Sequence, residues 1–256
     1  MNSIKKMMLS GALGCLISGM AYADGSSPQP VKPYWQDIQV VAVNKEKPRS
    51  SFMSYADRET ALTSRFEKSP YYSLLNGTWK FFFVDSYKDL PQNITDPSVN
   101  TSSWDDITVP GNWEVQGHGV AIYTNHGYEF KPRNPQPPLL PEANPVGVYR
   151  RDIEIPANWD NRDIYLHIGG AKSGLYVYLN GKEVGYSEDS KNTAEFLINK
   201  YLQPGKNVLT LKIFRWSTGS YLECQDFWRM SGIERDVFLW SQPKASIQDF
   251  RAKTAF

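Results

Sequence analysis

The chain is poor in the residues that most often build redox and metal sites. It has 2 cysteines and 3 histidines in 256 residues. Cys15 lies in the N-terminal segment described below, so Cys224 is left alone and can form no internal disulfide. His118, His126 and His167 are far apart in sequence, with no Cys or carboxylate at metal-ligand spacing. We therefore expect a domain that is stable without disulfides and that has three structural histidines.

A surplus of charge is absent as well. The chain carries 28 Lys and Arg against 27 Asp and Glu, which gives a net charge of +1. Nucleic acids and anionic membrane surfaces favour proteins with a basic excess, so neither is expected as a partner. The sequence also lacks a G-x-S-x-G elbow, a P-loop and a dinucleotide-binding fingerprint. We therefore expect none of the nucleophile and phosphate sites that those motifs build.

A long hydrophobic run is missing too, because the apolar stretch near the N-terminus is short. Two lysines precede the apolar residues Met7–Met20, and Ala21–Ala23 form an A-x-A cleavage site. This order is typical of a secretory signal peptide, and the stretch is too short to span a membrane. We predict a signal peptide over residues 1–23, cleavage after Ala23, and a periplasmic or secreted protein. Lipidation at Cys15 is the alternative.

Two pairs of neighbouring carboxylates are candidates for glycosidase chemistry. A retaining glycosidase needs two facing carboxyl groups about 5–5.5 Å apart. Glu223 with Asp226, and Glu188 with Asp189, are close in sequence. Pairs of this kind are more often solvated or joined to arginines, and arginines flank the first pair. We therefore assign neither pair a catalytic role.

The second half of the chain has the pattern of short β-strands. Apolar residues alternate with polar or aromatic ones in Ile164–Ile168, Leu175–Leu179 and Leu209–Ile213. Asn180-Gly181 follows the second of these at once and is a strong signal for a two-residue hairpin turn. Asp236–Trp240 is predicted to be the closing strand. Many short strands separated by turns are typical of a β-sandwich or a β-barrel.

One stretch, Arg215–Val237, mixes aromatic and charged residues without a regular period. Its apolar residues do not alternate for long, and Gly219 and Gly232 interrupt any helix. We predict an ordered loop whose rings are buried and whose polar ends are paired or face a ligand. The aromatic content of the chain, 14% with 15 Tyr and 8 Trp, fits either a β-rich core or a surface that stacks on sugar rings. Composition alone does not separate the two.

This stretch and three others carry a family resemblance. Arg215–Val237 resembles the segment that ends the sugar-binding domain of glycoside hydrolase family 2 β-galactosidases. Ile122–Phe130, Pro141–Pro156 and Val177–Ser190 resemble parts of the same domain in the same order. The likeness runs from about Trp35 to the C-terminus and covers only the N-terminal module of enzymes that are several times longer. It implies an all-β jelly-roll β-sandwich, with two antiparallel sheets face to face.

The same resemblance divides the chain into parts. After the signal peptide, residues 24–70 are predicted to be a mobile leader and an extended N-terminal strap, and residues 71–243 the jelly-roll sugar-binding domain. Residues 244–256 resemble the first strand of a following immunoglobulin-like domain. The strap resembles one that lies over other domains of the family. Without those domains we expect its Trp35, Val40 and Phe52 to be exposed.

The resemblance also implies a sugar-binding role for two residues. Asn125 of the I-Y-T-N motif and Asp226 of the Q-D-F-W motif match positions that reach galactose hydroxyls in the family. An ionised carboxylate is a strong acceptor for hydroxyls, and an amide can donate or accept. Asp226 also matches a Na⁺ ligand of some members, whose other ligands come from a barrel domain. The alternatives are an ion pair of Asp226 with Arg229 or Arg235, and a turn role for Asn125.

No residue of this chain is predicted to be catalytic, and no cofactor is assigned to it. In the family that it resembles, both catalytic carboxylates are glutamates of a later (β/α)-barrel domain. The resemblance implies Na⁺ and Mg²⁺ for the full-length enzymes. Near the Mg²⁺ site Thr218 stands where relatives commonly have Asp, and Glu188 where some have Gln. We therefore do not predict that site here.

Two functions stay open. In the first, the chain is the N-terminal segment of an exported retaining β-galactosidase and completes the galactose pocket of a catalytic barrel. Its partners are then the β-galactoside substrate, the remaining domains and, at full length, further copies in a homo-oligomer. In the second, it is a free-standing lectin-like module that binds galactosides without hydrolysing them. The immunoglobulin-like start after Pro243 favours the first.

Overall fold

The computed structural model describes residues 32–130 and 134–255. The predicted signal peptide, its cleavage site after Ala23 and the alternative lipidation of Cys15 lie outside the described residues. So does the first part of the predicted leader. These predictions are therefore untested by the fold.

The described residues form mainly β-strands. The strands are β1 Ala42–Val43, β2 Tyr72–Leu74, β3 Gly77–Val84, β4 Asp105–Val109, β5 Gly111–Asn112, β6 Ile122–Thr124, β7 Val146–Glu154, β8 Arg162–Ile168, β9 Ala171–Lys172, β10 Gly174–Leu179, β11 Lys182–Ser187, β12 Ala194–Leu197, β13 Lys206–Phe214, β14 Phe227–Arg229, β15 Gly232–Ile233 and β16 Val237–Pro243. Short 3₁₀ helices connect them at Tyr34–Gln36, Phe66–Lys68, Tyr87–Asp89, Glu114–Gln116, Ala157–Trp159, Asn199–Tyr201 and Thr218–Tyr221.

One short α-helix, α1, interrupts the strap at Arg58–Leu62. The Asp57 carboxylate caps it by accepting a hydrogen bond from the Thr60 N–H at 2.8 Å, which satisfies one of the free donors at the helix start. In the part of the chain that the structure describes, no helix has the length and apolar character needed to cross a membrane.

Two antiparallel sheets form the body of the domain. The larger sheet has seven strands in the order β1-β11-β10-β13-β7-β3-β4, and the smaller has four in the order β12-β8-β16-β2. Two small sheets, β14-β6 and β5-β15-β9, are built from the connecting segments. The predicted all-β jelly-roll β-sandwich is confirmed.

The main core lies between the two sheets. The alternation predicted in Ile164–Ile168, Leu175–Leu179 and Leu209–Ile213 is confirmed, because their apolar members are at most 4% exposed and belong to one cluster. The closing strand β16 adds Val237 and Leu239, both 0% exposed. Fully burying a side chain of this size contributes about 1.5–3 kcal/mol. Alternating inward residues therefore hold the two sheets together.

The outer face of the seven-stranded sheet is also covered, and the strap covers it. Trp35 is 1% exposed and packs against Phe214 and Tyr87, with ring centroids 4.9 and 5.1 Å apart. Phe52, further along, is half-buried and lies 5.7 Å from the ring of Phe250. The expectation that the strap rings are exposed is wrong. The strap buries Trp35 on this domain itself and half-buries Val40 and Phe52, whereas Ile38, Val41 and Leu62 are exposed.

The connections follow the sequence signals in one place and leave a prediction open in another. Asn180-Gly181 joins β10 to β11 with φ values of 53° and 77°. Two successive positive φ angles are what a type I′ hairpin turn requires, and glycine adopts them without steric cost. Residues 244–255 contain no strand or helix. Their assignment to a following immunoglobulin-like domain stays a prediction.

Candidate functional site

The stretch Arg215–Val237 is more regular than its sequence indicates. It contains the 3₁₀ helix at Thr218–Tyr221 and the strands β14 and β15 before β16 begins. The prediction of a loop without strands is therefore wrong in part. β14 has three residues and β15 has two, so neither is long enough to show an alternation of apolar and polar residues.

The strand β14 pairs with β6, which comes much earlier in the chain. The register places Phe227 opposite Thr124. Asn125 follows Thr124 directly, and Asp226 directly precedes Phe227. The pairing therefore brings the two predicted site residues to the same end of this small sheet. We call β6, β14, Asn125 and Asp226 together the site ribbon.

One face of the site ribbon is exposed and aromatic. Tyr123 and Trp228 lie opposite each other, 55% and 54% exposed, with ring centroids 5.7 Å apart. The Tyr123 hydroxyl donates to Asp226 Oδ1 at 2.8 Å, and this hydrogen bond together with the carboxylate charge raises the pKa of Tyr123. Side chains two residues apart on a strand share a face. Two rings beside a carboxylate and an amide can stack on a sugar and bind its hydroxyls.

The Asp226 carboxylate does not form the ion pairs considered as alternatives. Buried Arg229 donates through Nη1 to the Glu223 carbonyl at 2.7 Å. Arg235 donates through Nη1 to the Gly169 carbonyl at 3.1 Å. Among residues 32–130 and 134–255, no cationic side chain pairs with Asp226. The carboxylate is exposed and keeps most of its capacity to accept hydrogen bonds.

Asn125 is exposed as well. Its Oδ1 lies 2.7 Å from Nδ1 of His126, and its Nδ2 group donates to no other described residue. The residue sits at a bend directly after β6, so the turn role is compatible with an amide that is open to a ligand. The assignment of Asn125 and Asp226 to a galactose pocket stays a prediction.

A buried arginine beneath the site ribbon ties its two strands together. Arg215 Nη2 donates to the Val120 carbonyl at 2.9 Å and to the Arg229 carbonyl at 3.2 Å. Val120 lies just before β6, and Arg229 ends β14. The carboxylates of Glu114 and Glu129 lie 3.5 and 3.8 Å from the guanidinium, so its charge is balanced. The role of Arg215 is not visible in the sequence, because it depends on four segments that meet only in the fold.

The carboxylates considered as catalytic pairs have separate roles. Glu223 accepts hydrogen bonds from the Ser190 N–H at 2.7 Å and from the Ser190 hydroxyl at 2.6 Å, whereas Asp226 accepts one from Tyr123. Asp189 accepts from the side-chain amide of Asn192 at 2.9 Å. Each carboxylate thus stabilises a different local structure. The contacts support neither pair as nucleophile and general acid.

Glu188 lies where the resemblance would place a Mg²⁺ site. It is 3% exposed and accepts from the Tyr186 hydroxyl at 2.7 Å, the Thr218 hydroxyl at 3.0 Å and the Gly219 N–H at 2.6 Å. Burial raises its pKa, although these donors oppose the effect. Its oxygens already accept from three donors, so this residue set does not fit Mg²⁺, which needs several free oxygen ligands.

The predicted Na⁺ ligand remains chemically suitable. Asp226 is an exposed carboxylate and can give one oxygen ligand to a hard cation. Within the described residues, no group of three or more His, Cys, Asp or Glu side chains is placed to hold a metal ion. The remaining Na⁺ ligands would have to come from outside this set, as the resemblance implies. Na⁺ binding at Asp226 stays a prediction.

The β-sandwich and its exposed ribbon together have the form of a sugar-binding module, and comparison with known proteins places the chain in such a family. The family model described as "Glycosyl hydrolases family 2, sugar binding domain" matches residues 72–243. The chain belongs to this family. The family resemblance found in the sequence is confirmed.

Curated relatives of the chain are β-galactosidases. That of Priestia megaterium is 39% identical over 226 residues, which cover 87% of this chain and 22% of the relative. That of Actinobacillus pleuropneumoniae is 41% identical over 217 residues, covering 85% and 21%. The chain thus spans about a fifth of the length of these relatives.

Solved structures support the fold. A β-glucuronidase of Bacteroides uniformis superposes with a TM-score of 0.51 at 23% sequence identity, over 67% of this chain and 18% of the other. At this identity the likeness concerns the fold alone. It agrees with the jelly-roll sandwich described above.

Proposed function

We propose that this chain is the N-terminal sugar-binding segment of an exported retaining β-galactosidase. In this proposal Asn125 and Asp226 contribute to the galactose pocket, and a catalytic barrel outside this chain supplies the groups that cleave the glycosidic bond. The observation that carries the proposal is the pairing of β6 with β14, because it sets an unpaired carboxylate beside an exposed amide. Membership of the family and the β-galactosidase relatives support it.

In this proposal the residues of the site ribbon bind and orient the sugar. The Asp226 carboxylate has about four lone-pair positions, of which Tyr123 uses one, so the others can accept from galactose hydroxyls. Asn125 donates through its free Nδ2 group. Arg215 holds the two strands in register from below. Asp226 would give one oxygen ligand to a Na⁺, whose positive charge would then be available to the hydroxyl oxygens of the sugar.

The proposed export rests on residues 1–23 alone. Expression in a Gram-negative host should give periplasmic protein whose first residue is Asp24, because cleavage is predicted after Ala23. Intact-mass analysis measures this directly. A diacylglyceryl group on Cys15 would support the lipoprotein alternative, and an uncleaved N-terminus would contradict both.

The second candidate is a free-standing galactoside-binding module. The observation that favours it is the exposure of Tyr123 and Trp228, 55% and 54%. Exposed ring pairs of this kind are a common way to stack on sugars. In this case the isolated chain binds galactosides firmly. In the first case binding is weak, because half a pocket offers few of the contacts that offset the cost of association.

Titration of the ¹⁵N-labelled protein with galactose tests the proposal. We expect weak, saturable shifts at residues 125–127 and 225–228, with no hydrolysis of a chromogenic β-galactoside. Asp226→Asn is expected to abolish the shifts at these residues without unfolding the protein. Firm binding by the isolated chain would favour the lectin-like module. Hydrolysis that Glu223→Gln abolishes, or shifts at residues 125–127 and 225–228 that persist in Asp226→Asn, would overturn the assignment.

A further inference from the structure

The strap leaves a cavity over the outer face of the four-stranded sheet. Residues 45–53 form its roof, and the space beneath them has a volume of about 340 Å³. His167 of β8 and the rings of Phe238 and Trp240 of β16 form its floor. No residue of the site ribbon lines this cavity. It is therefore a concave place separate from the site ribbon.

The floor of this cavity is rigid. Glu195 accepts from Arg49 through Nε and Nη2, both at 3.0 Å, from His167 Nδ1 at 2.8 Å and from Trp240 Nε1 at 3.0 Å. The imidazole of His167 also stacks on Phe238, with centroids 4.0 Å apart. Since these contacts fix both the strap and the ring orientation, the cavity keeps its shape without a ligand.

One nitrogen of His167 is left for a ligand. Because Nδ1 faces the Glu195 carboxylate, it carries the proton and donates. Nε2 makes no hydrogen bond within the described residues. An imidazole held in this way offers Nε2 to a hydroxyl group that enters the cavity, because a hydroxyl can both donate and accept.

Two charged residues of the roof are partly removed from water without gaining a hydrogen-bond partner for their side chains. Lys45 and Glu46 are half-buried, and neither side chain hydrogen-bonds to another described residue. Burial lowers the pKa of Lys45 and raises that of Glu46. Desolvated polar groups gain free energy when a ligand supplies the missing hydrogen bonds. Such groups beside a cavity indicate a polar ligand.

The balance of charge around the cavity decides the class of ligand. Three basic and three acidic residues line it, namely Lys45, Lys47, Arg49, Glu46, Asp189 and Glu195. Neither an anion nor a cation is favoured by such a set. Hydroxyl groups can accept from ammonium groups and donate to carboxylates, so a neutral polyhydroxylated molecule suits this set. The volume lies at the small end of the roughly 300–1,000 Å³ range of ligand pockets.

We propose that this cavity is a second binding site for a neutral polyhydroxylated ring, a single hexose unit. In this site one hydroxyl of the hexose hydrogen-bonds to His167 Nε2, and others contact Lys45 and Glu46. The segment 188–192 separates this site from the ribbon, because Asp189 lines the cavity whereas Ser190 binds Glu223. The site is independent of the function proposed above.

The test uses an Asp226→Asn background, so that binding at the site ribbon is suppressed. Galactose and glucose are titrated by saturation-transfer NMR and calorimetry, with glycerol and acetate as comparison probes. We expect a hexose to bind saturably and the two small probes not to. His167→Asn keeps a donor for Glu195 but removes Nε2, and Lys45→Met keeps the aliphatic stem but removes the ammonium group. Each is expected to weaken hexose binding about tenfold.

Thermal unfolding of both variants checks that the floor is intact. An unchanged Tm with weakened binding supports the site. If His167→Asn lowers the Tm, the roof variant Lys45→Met shows whether the cavity binds a hexose, because the Lys45 side chain makes no hydrogen bond in the floor. The proposal is overturned if no hexose binds in the Asp226→Asn background, if both variants bind as the background does, or if glycerol or acetate binds equally well.

Discussion

Glu195 and Asp226 are two carboxylates that lie among aromatic rings on different faces of the domain, and their surroundings differ. Glu195 is 7% exposed and accepts four hydrogen bonds, two of them from Arg49. Asp226 is exposed and accepts one, from Tyr123. A carboxylate whose lone pairs are all used stabilises the fold, whereas one with unused lone pairs is available to a ligand.

The rings beside these carboxylates follow the same division. Trp240, next to Glu195, is 1% exposed and is covered by the Arg49 guanidinium 4.3 Å from its ring centroid. Trp228, near Asp226, is 54% exposed. The strap therefore covers the Trp240 ring, whereas the Trp228 ring stays exposed. Substitutions at the two carboxylates should separate stability from binding.

The largest expected effect is the loss of stability on removing Glu195. Glu195→Ala leaves the guanidinium of Arg49 and the imidazole of His167 without their acceptor in a mostly buried place. Breaking a buried charge pair in this way costs about 3–5 kcal/mol of unfolding free energy. Urea denaturation of the purified protein measures it. The matched control is Glu154→Ala, an exposed carboxylate of β7, which should change stability by less than about 0.5 kcal/mol. Equal losses in the two variants would remove the contrast.

The next effect concerns Asp226 in the full-length enzyme to which this segment is proposed to belong. Asp226→Ala removes a charged acceptor whose hydrogen bond to a sugar hydroxyl is worth about 1.5–3 kcal/mol. We expect kcat/KM to fall roughly ten- to a few-hundredfold, in kcat as well as KM if the contact tightens in the transition state. Asn125→Ala loses a neutral hydrogen bond and should cost less. Thermal unfolding should hardly change. A clear drop in Tm with normal kcat/KM would show that Asp226 is structural.

A third prediction uses pH to distinguish a desolvated carboxylate from a paired one. Burial raises the pKa of Glu188, so folding favours its neutral form. Its contribution is then fully present below the unfolded pKa, about 4.5, and is lost as the pH rises through the folded pKa. Glu188→Gln should flatten this loss, by at most about 1.4 kcal/mol per pH unit.

Urea denaturation at a series of pH values between about 5 and 8 measures this slope for wild type and variant. Gln can keep the bond from the Gly219 N–H and donate to the hydroxyls of Tyr186 and Thr218. Asp189→Asn, at the exposed neighbouring residue, is the control and should leave the slope unchanged. If Glu188→Gln has the wild-type slope, Glu188 is ionised across the whole range and is stabilised by its donors alone.

The sandwich is predictable from the sequence because its strands are long enough to show their period. Ile164–Ile168 and Leu175–Leu179 each place an apolar residue at every second position, and all of these face the core. Asn180-Gly181 predicts the hairpin turn that follows β10. The covering of the outer face of the seven-stranded sheet by the strap is not predictable in this way. Trp35 packs against Tyr87 and Phe214, and no local sequence pattern connects these residues to it.

The site is less predictable for a related reason. Asn125 and Asp226 were found by resemblance to a family. They lie near each other because two three-residue strands, β6 and β14, pair. The hydrogen-bonded residues Tyr123 and Asp226 are 103 positions apart in the sequence. Strands this short have no visible period. Once the register is known, Tyr123 and Trp228 follow from the two-residue repeat of a strand. The buried contacts of Arg215 are visible only in the three-dimensional structure, because its partners come from distant parts of the chain.

The smallest expected effect tests whether Tyr123 orients the carboxylate or competes for it. Tyr123→Phe keeps the ring beside Trp228 and removes the hydroxyl that donates to Asp226. Because the bond uses one of about four lone-pair positions, its loss frees little acceptor capacity but lets the exposed carboxylate rotate. We therefore expect galactose affinity to fall about two- to fivefold, with no change in Tm. Tyr178→Phe, which loses a 3.3 Å bond to Glu183 elsewhere on the domain, is the matched control and should bind normally. Tighter binding by Tyr123→Phe would mean that the Tyr123 hydroxyl competes with the sugar for Asp226. The ligand would then have to break the hydrogen bond between Tyr123 and Asp226 before it binds.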